Sequence, residues 1–263
     1  MANKLTVLLR YCGFYPNQFL NNIRGLKFWF ADKKEIKRQI KKQQISDFVF
    51  TIHPQLSDRF EEAGAMDGHY FNQDLLVAQK IFENNPNTHI DIGSRIDGFV
   101  AHVASFRKIK LFDIRKLEKT FQNIEFEQQD IMQYNENLEN SCDSISSLHA
   151  IEHFGLGRYG DTVNVNGHLL ALDNIYRYLK KGGTFYFSVP IGQQQRIEFN
   201  GSRIFSLSYL LNLFKDRYVL KSFSYVDSND NSTLYRDIIL SEEDIRTTFN
   251  LKHGCGIFEL VKK

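Results

Sequence analysis

Residues 88–98, THIDIGSRIDG, decide the fold. A short β-branched run reaches Ile92, Gly93 and Gly98 bracket a turn, and FVAHVASF (99–106) continues with helical spacing. Strand, glycine turn and helix in that order open a βαβ unit. The glycine lets the backbone approach a ligand, and the helix start offers free N–H groups. Outward from this stretch the alternation repeats. IKLFDI (109–114), IEFEQQDI (124–131), CDSISSLHAIEH (142–153) and GTFYFSVPIG (183–192) read as strands. HYFNQDLLVAQKIFENNP (69–86) reads as a helix ending before Pro86. HLLALDNIYRYLKKGG (168–183) is a periodic helix with a glycine stop, and SLSYLLNLFKD (206–216) is another. YVLKSFSYVD (218–227) and CGIFELVKK (255–263) read as two closing strands with no helix between them. The expected fold is α/β, a Rossmann-like, mostly parallel doubly wound sheet with an antiparallel C-terminal edge strand.

Upstream the pattern differs, and residues 1–63 are expected to form a mostly helical extension to a domain over 64–263. NQFLNNIRGLKFWFADKKEIKRQIKKQQ (17–44) has apolar residues at helical spacing, and FVFTIH (48–53) reads as a short strand. The run 33–42, KKEIKRQIKK, holds six basic residues against one Glu, a pattern usual for a solvated helix face. A weak membrane-surface or anionic-glycan contact is the alternative. A net charge of +2 does not advertise nucleic acid. No stretch is apolar enough to span a bilayer, and no cleavable leader is evident. Cys12, Cys142 and Cys255 form neither a disulfide framework nor a metal spacing, so the chain reads as cytoplasmic.

In an open parallel sheet, ligands bind beyond the carboxyl ends of the strands. The first such end carries Asp91, Gly93, Ser94 and Arg95. The second carries Asp113, 22 residues past Asp91 and placed to hold ribose hydroxyls. The third carries Asp130, near an adenine edge. Three acids after three consecutive strands indicate an adenosine-type ligand. Arg95 stands where a nicotinamide fingerprint has its second glycine. With the closing strand pair and LKKGG, that favours S-adenosylmethionine (SAM), which has no phosphate to cradle.

DIGSRIDG, IKLFDIR, SLHAIEHFGLGRYGD and LKKGGTFYFSVPIG resemble class I SAM-dependent methyltransferases. More closely, HYFNQDLLVAQKI, DIGSRIDGFVAH, LHAIEHFGLGRYGD, VPIG…RIEFNGSRIFS and GCGIFELVK resemble domain of unknown function family 268, over about residues 64–262. That family occurs largely in bacterial surface-polysaccharide gene clusters, and also in nematodes. The resemblance implies a SAM-dependent methyltransferase acting on a saccharide or nucleotide-sugar. The loop after the fourth strand, with His149, Glu152, His153, Arg158 and Asp161, would then hold the amino-acid end of SAM and begin the acceptor site. A hydroxyl acceptor needs a proton acceptor, and neutral imidazole suits that. His153 is the first choice, His149 the second and also a cofactor contact, with Glu152 orienting a histidine or binding the methionine amino group. Tyr70 and Asp74 fall on the helix over the cofactor. Arg158 and Asp161 form a clamp for a charged glycan, and Asn200 and Arg203 grip the acceptor. No metal is expected, since Glu152, His153 and Asp161 lack ligand spacing. A catalytically silent SAM- or nucleotide-binding module of a glycan-assembly complex, and a Rossmann-like sugar oxidoreductase or epimerase, are the alternatives.

Overall fold

A computed structural model describes residues 9, 12–43, 50–60, 68–228, 230 and 232–263. The chain divides into two compact units, Met1–Met66 and Asp67–Lys263.

In the first unit, Pro16 opens α1 (Pro16–Gln43), a position where its missing N–H has no partner to lose. Segment 50–60 packs on α1 where Gly25 leaves room for the Leu56 carbonyl. Arg59 donates to Asp32 at 2.7 Å and covers the Phe28 ring. Of the expected strand at 48–53, residues 48 and 49 lie outside the described residues. Phe50–His53 is not a strand, for among the described residues no neighbouring strand pairs with it. The basic run is partly spoken for within the unit: Arg38 bridges Glu35, and Lys33 lies over Trp29.

The second unit contains α2 (His69–Asn84), β1 (His89–Ile92), α3 (Ala101–Ala104), β2 (Ile109–Asp113), β3 (Ile124–Gln128) and β4 (Cys142–Leu148). There follow α4 (Gly167–Tyr178), β5 (Leu179–Ile191), β6 (Arg196–Glu198), β7 (Ser202–Ile204) and α5 (Leu207–Phe214). The remainder is β8 (Tyr218–Asp227), β9 (Thr233–Tyr235), α6 (Glu242–Thr247) and β10 (Gly254–Lys262). Eight strands form one sheet in the order β3-β2-β1-β4-β5-β10-β8-β9, and β6 and β7 make a separate hairpin. The pairs from β3 to β5 are parallel. β10 is antiparallel to β5 and β8, with Phe258 opposite both Phe187 and Phe223. It thus lies one place inside β8, and β9 is the outer edge. This reversal departs from the all-parallel nicotinamide sheet.

The central strands β1, β4, β5 and β10 are buried on both faces over most of their length, as a doubly wound sheet requires. Phe185 and Phe187 pack with Ile175 and Phe214 on one side; Tyr186 packs with Leu76 and Ile81 on the other.

Two expectations are corrected. Helix α4 stops at Tyr178, and LKKGG belongs to β5. The terminal carbonyls are met tertiarily, Arg177 by Asn140 N–H (2.9 Å), Tyr178 by Ser141 N–H (3.0 Å) and Tyr176 by Lys262 Nζ (2.6 Å), so no glycine cap is needed. Between β8 and β10 there is a helix after all. Ser241 and Asp244 form a capping box that starts α6, each side chain accepting the other's backbone N–H.

Candidate functional site

An open cleft of about 1000 Å³ runs across the carboxyl ends of the parallel strands, reaching Gly93, Asp113, His149, Tyr70 and His253. A narrow recess of about 60 Å³ adjoins it, sharing Gly93, Asp113, His149 and His153 and walled by Ile92, Phe112, Ile131 and Met132. The turn after β1 shapes both. Gly93 has φ +69°, and a Cβ there would stand 3.0 Å from the Ala150 Cβ. Asp91 is fully buried beneath this turn. It accepts from Ser94 N–H (3.0 Å), Ser94 Oγ (2.7 Å) and Ser146 Oγ (2.6 Å). Ser94 Oγ also accepts from Leu148 N–H at 3.1 Å. Together they tie the ends of β1 and β4. Burial pushes the Asp91 carboxyl up to about 6, against those hydrogen bonds.

Asp113 ends β2 at the junction of recess and cleft. Arg115 grips both its oxygens, Nε to Oδ1 at 3.0 Å and Nη2 to Oδ2 at 2.7 Å, and the Arg115 N–H adds a third bond at 2.8 Å. The Arg115 guanidinium lies 4.6 Å from the Tyr159 ring centroid. Asp130 lines the recess beyond β3, its Oδ1 accepting from Met132 N–H.

Histidines gather where β4 ends. His149 has φ +51°, rare for a residue with a side chain, and its Nδ1 lies 2.8 Å from Glu152 Oε1. Its ring stacks on His69 at 4.7 Å and stands 5.0 Å from Tyr70. Burial opposes a charge on His149, yet Cys255 and Glu152 offset it and hold the imidazole well above its ordinary range. Burial, then the charges of His149 and His253, pushes His69 down to about 3. His149 Nε2 and Glu152 Oε2 are buried without protein partners.

His153 is oriented differently. Its Nδ1 lies 2.6 Å from the Gly201 carbonyl, which can only accept, so Nδ1 carries the hydrogen and Nε2 the lone pair. Burial, with the nearby Arg158 charge, lowers its pKa despite Glu152 at 3.6 Å from Nε2. A neutral, oriented imidazole facing both recess and cleft is chemically a proton acceptor.

The family described as "Caenorhabditis protein of unknown function, DUF268" matches residues 100–253. This chain belongs to that family. No curated protein matches it. Among solved structures, the DUF268 chain is similar to the Burkholderia thailandensis 1,6-didemethyltoxoflavin-N1-methyltransferase, solved with that compound and S-adenosylhomocysteine. The identity is 12%, over 73% of this chain and 79% of that one, with a TM-score of 0.52. It is also similar to the N-methyltransferase NodS of Bradyrhizobium japonicum WM9, solved with S-adenosylhomocysteine, at 11% identity over 75% and 89% of the chains, with a TM-score of 0.49. The fold is that of class I methyltransferases.

Several residues expected to meet ligands in this DUF268 protein are committed elsewhere. Asp74 is buried against Gly98, where a Cβ would collide with its carboxylate, and Gln73 donates to it. It does not line the cleft, and burial raises its pKa to about 6. Arg158 and Asp161 do not pair as a clamp. Asp161 accepts the N–H groups of Gly155, Gly157 and Tyr159, closing its own loop, and it lines the recess rather than the cleft. Arg203 is buried and donates to the carbonyls of Glu152, Phe154 and Val165, so it braces the histidine loop from behind. Asn200 sits in the β6–β7 turn and lines neither recess nor cleft. Asp91 shapes the turn through bonds that leave it buried, and Ser94 does so while also bordering the cleft. Tyr70, Gly93, Arg95, Asp113, His149, Glu152, His153 and Arg158 do border the cleft. Tyr159, Arg115 and His253 border it unforeseen. The alternation FDIR, with a base two residues past a strand-end acid, was the available indication of Arg115.

Proposed function

We propose that this protein is a SAM-dependent methyltransferase that O-methylates a saccharide or nucleotide-sugar in the cytoplasm, during surface-glycan synthesis, with residues 67–263 as its catalytic unit. The observation carrying this reading is the junction at Asp113. A narrow recess with apolar walls meets an acid at its mouth and opens on a cleft bordered by His153. The fit to SAM is chemical. Phe112, Ile131 and Met132 offer apolar walls to adenine, Asp113 a carboxylate to the ribose, and the Gly93 turn leaves room beside Ala150. The buried, unpartnered Glu152 Oε2 is an acceptor waiting for a donor, such as the methionine ammonium or an acceptor hydroxyl.

When bound, SAM supplies an electrophilic methyl group. The protein's part is alignment and removal of a hydroxyl proton as the oxygen attacks. His153 Nε2 takes that proton; the Gly201 carbonyl holds the ring in the right tautomer, and Arg203 holds the loop that carries it. The acceptor class follows from the resemblance to family 268. Calorimetry with S-adenosylhomocysteine tests the reading: Asp113→Ala should weaken binding by roughly 10–150-fold, the loss of a charged hydrogen-bonding group worth ~1.5–3 kcal/mol. Wild-type protein that binds S-adenosylhomocysteine yet methylates no hydroxyl acceptor leaves the silent module as the better account, and wild-type protein that binds none refutes the cofactor.

A further inference from the structure

Arg115 occupies the carboxylate that the proposed ribose contact requires. Its fork takes both Asp113 oxygens, and its own N–H adds a third bond, so a ribose diol cannot engage both oxygens while the fork stays in place. The guanidinium is half-exposed and rests on Tyr159, with room to turn away. Over the same ring stands a second guanidinium, Arg158, 5.2 Å from the centroid. Arg158 donates to the Gly201 carbonyl at 2.9 Å, and among the described residues no carboxylate pairs with it. Both side chains border the cleft beside His153, and Lys116 borders it too. Arg95, the other cleft arginine, is bridged to Asp97.

We infer that Arg115 and Arg158, which share the Tyr159 ring as a support, form an anion site for a phosphate or carboxylate of the acceptor, completed when the cofactor ribose displaces Arg115 from Asp113. This rests on the ribose reading of Asp113. The chemistry follows from charge. While bound to Asp113, Arg115 presents little net charge to the cleft; released, it joins Arg158 as a second positive fork, and paired guanidinium groups suit a multivalent oxyanion. Cofactor and anion therefore favour each other. Linkage makes the effect reciprocal: whatever factor S-adenosylhomocysteine adds to anion affinity, the anion adds to S-adenosylhomocysteine affinity.

The test uses the full chain, S-adenosylhomocysteine and pyrophosphate as the anion probe, with both affinities read by calorimetry. Arg115→Met should bind S-adenosylhomocysteine about two- to five-fold tighter than wild type, because a half-exposed ion pair no longer competes for Asp113. Pyrophosphate should bind wild type more tightly when S-adenosylhomocysteine is saturating, and Arg158→Met should lose that binding while keeping its S-adenosylhomocysteine affinity. Circular dichroism and denaturation midpoints establish that both variants are folded. Unchanged or weaker S-adenosylhomocysteine binding by Arg115→Met overturns the inference. So does pyrophosphate binding that S-adenosylhomocysteine leaves unchanged or reduces; a reduction would mean that the cofactor's own carboxylate uses these arginines. If Asp113→Ala fails to weaken S-adenosylhomocysteine binding, the ribose reading itself has failed. If it weakens binding while Arg115→Met is neutral, only the displacement is refuted. A glucose 1-phosphate and glucuronate comparison on the saturated protein then separates phosphate from carboxylate as the preferred anion.

Discussion

Replacing Arg203 with methionine separates bracing from ligand binding. Arg203 is buried, with 3% of the residue's surface exposed, and its guanidinium donates to three carbonyls: Phe154 at 2.7 Å, Val165 at 3.0 Å and Glu152 at 3.3 Å. Methionine fills much of the same volume but donates nothing, leaving those acceptors short of a partner at ~1–3 kcal/mol each. Two effects work the other way. Arg203 Nε already lacks a partner, and burial lowers the guanidinium pKa, so the native side chain is itself poorly solvated. An apolar replacement also recovers about 1–2 kcal/mol of burial. The net expected loss is about 2–4 kcal/mol, read as a shift of the urea midpoint at constant slope. Arg158→Met, which removes an exposed side chain with one carbonyl bond, should lose less than about 1 kcal/mol. If Arg203→Met leaves stability within 1 kcal/mol of wild type yet abolishes acceptor binding, Arg203 is a ligand residue and the bracing argument is wrong.

Other expectations rest on the same geometry. His153→Gln should keep S-adenosylhomocysteine affinity while lowering turnover by about 10²–10⁴, because an amide can hydrogen-bond a hydroxyl but not take its proton; retained turnover removes the base role. Gly93→Ala should lose ~1–2 kcal/mol from the left-handed backbone alone, more with the Ala150 contact, and weaken S-adenosylhomocysteine binding. A stability change under 0.5 kcal/mol would contradict that. His89, buried between Ser144 Oγ (2.7 Å) and Ser146 Oγ (3.1 Å), is pushed down to about 3 by burial, then by Arg107. A folded-state pKa below the unfolded one gives stability that is present above about pH 6.5 and is lost as pH falls toward 3. Wild type should therefore lose about 2 kcal/mol more than His89→Gln between pH 6.5 and 5; parallel urea curves at the two pH values would refute it.

How much of the site is legible in the sequence depends on which direction a residue's strand runs. Every parallel strand announces its ligand-facing end through the residues just beyond it, and Gly93, Asp113, Asp130 and the His149–His153 loop are legible that way. β10 is antiparallel, so it presents its beginning to the cleft, and His253 escapes a reading confined to strand ends. Arg203 misleads because sequence position after β5 says nothing about depth: a surface arginine and one sunk behind a loop have the same neighbours in the chain. Asp161 looks like half of a clamp, yet the glycines around it, Gly155 and Gly157, expose N–H groups that a nearby carboxylate captures first. The short helix α6 has a readable start in Ser241 and Asp244, but six residues give no periodicity to notice.

The insertion of β10 between β5 and β8 bears on the order of events at the ribosome. Until Gly254–Lys262 has left the exit tunnel, β5 and β8 have no partner on their facing edges, although both precede it in the chain. Two apolar strands, with Phe185, Phe187 and Phe223 among their residues, must wait with unpaired backbone groups. The nascent sheet can assemble from β1 to β5 early, but its aromatic half closes only by capture of a late segment over a large sequence separation. Slowed translation upstream of residue 254 would prolong that exposed interval. Chaperones that shield apolar edges on the nascent chain should therefore raise the soluble yield of this chain more than that of a sheet built in sequential order.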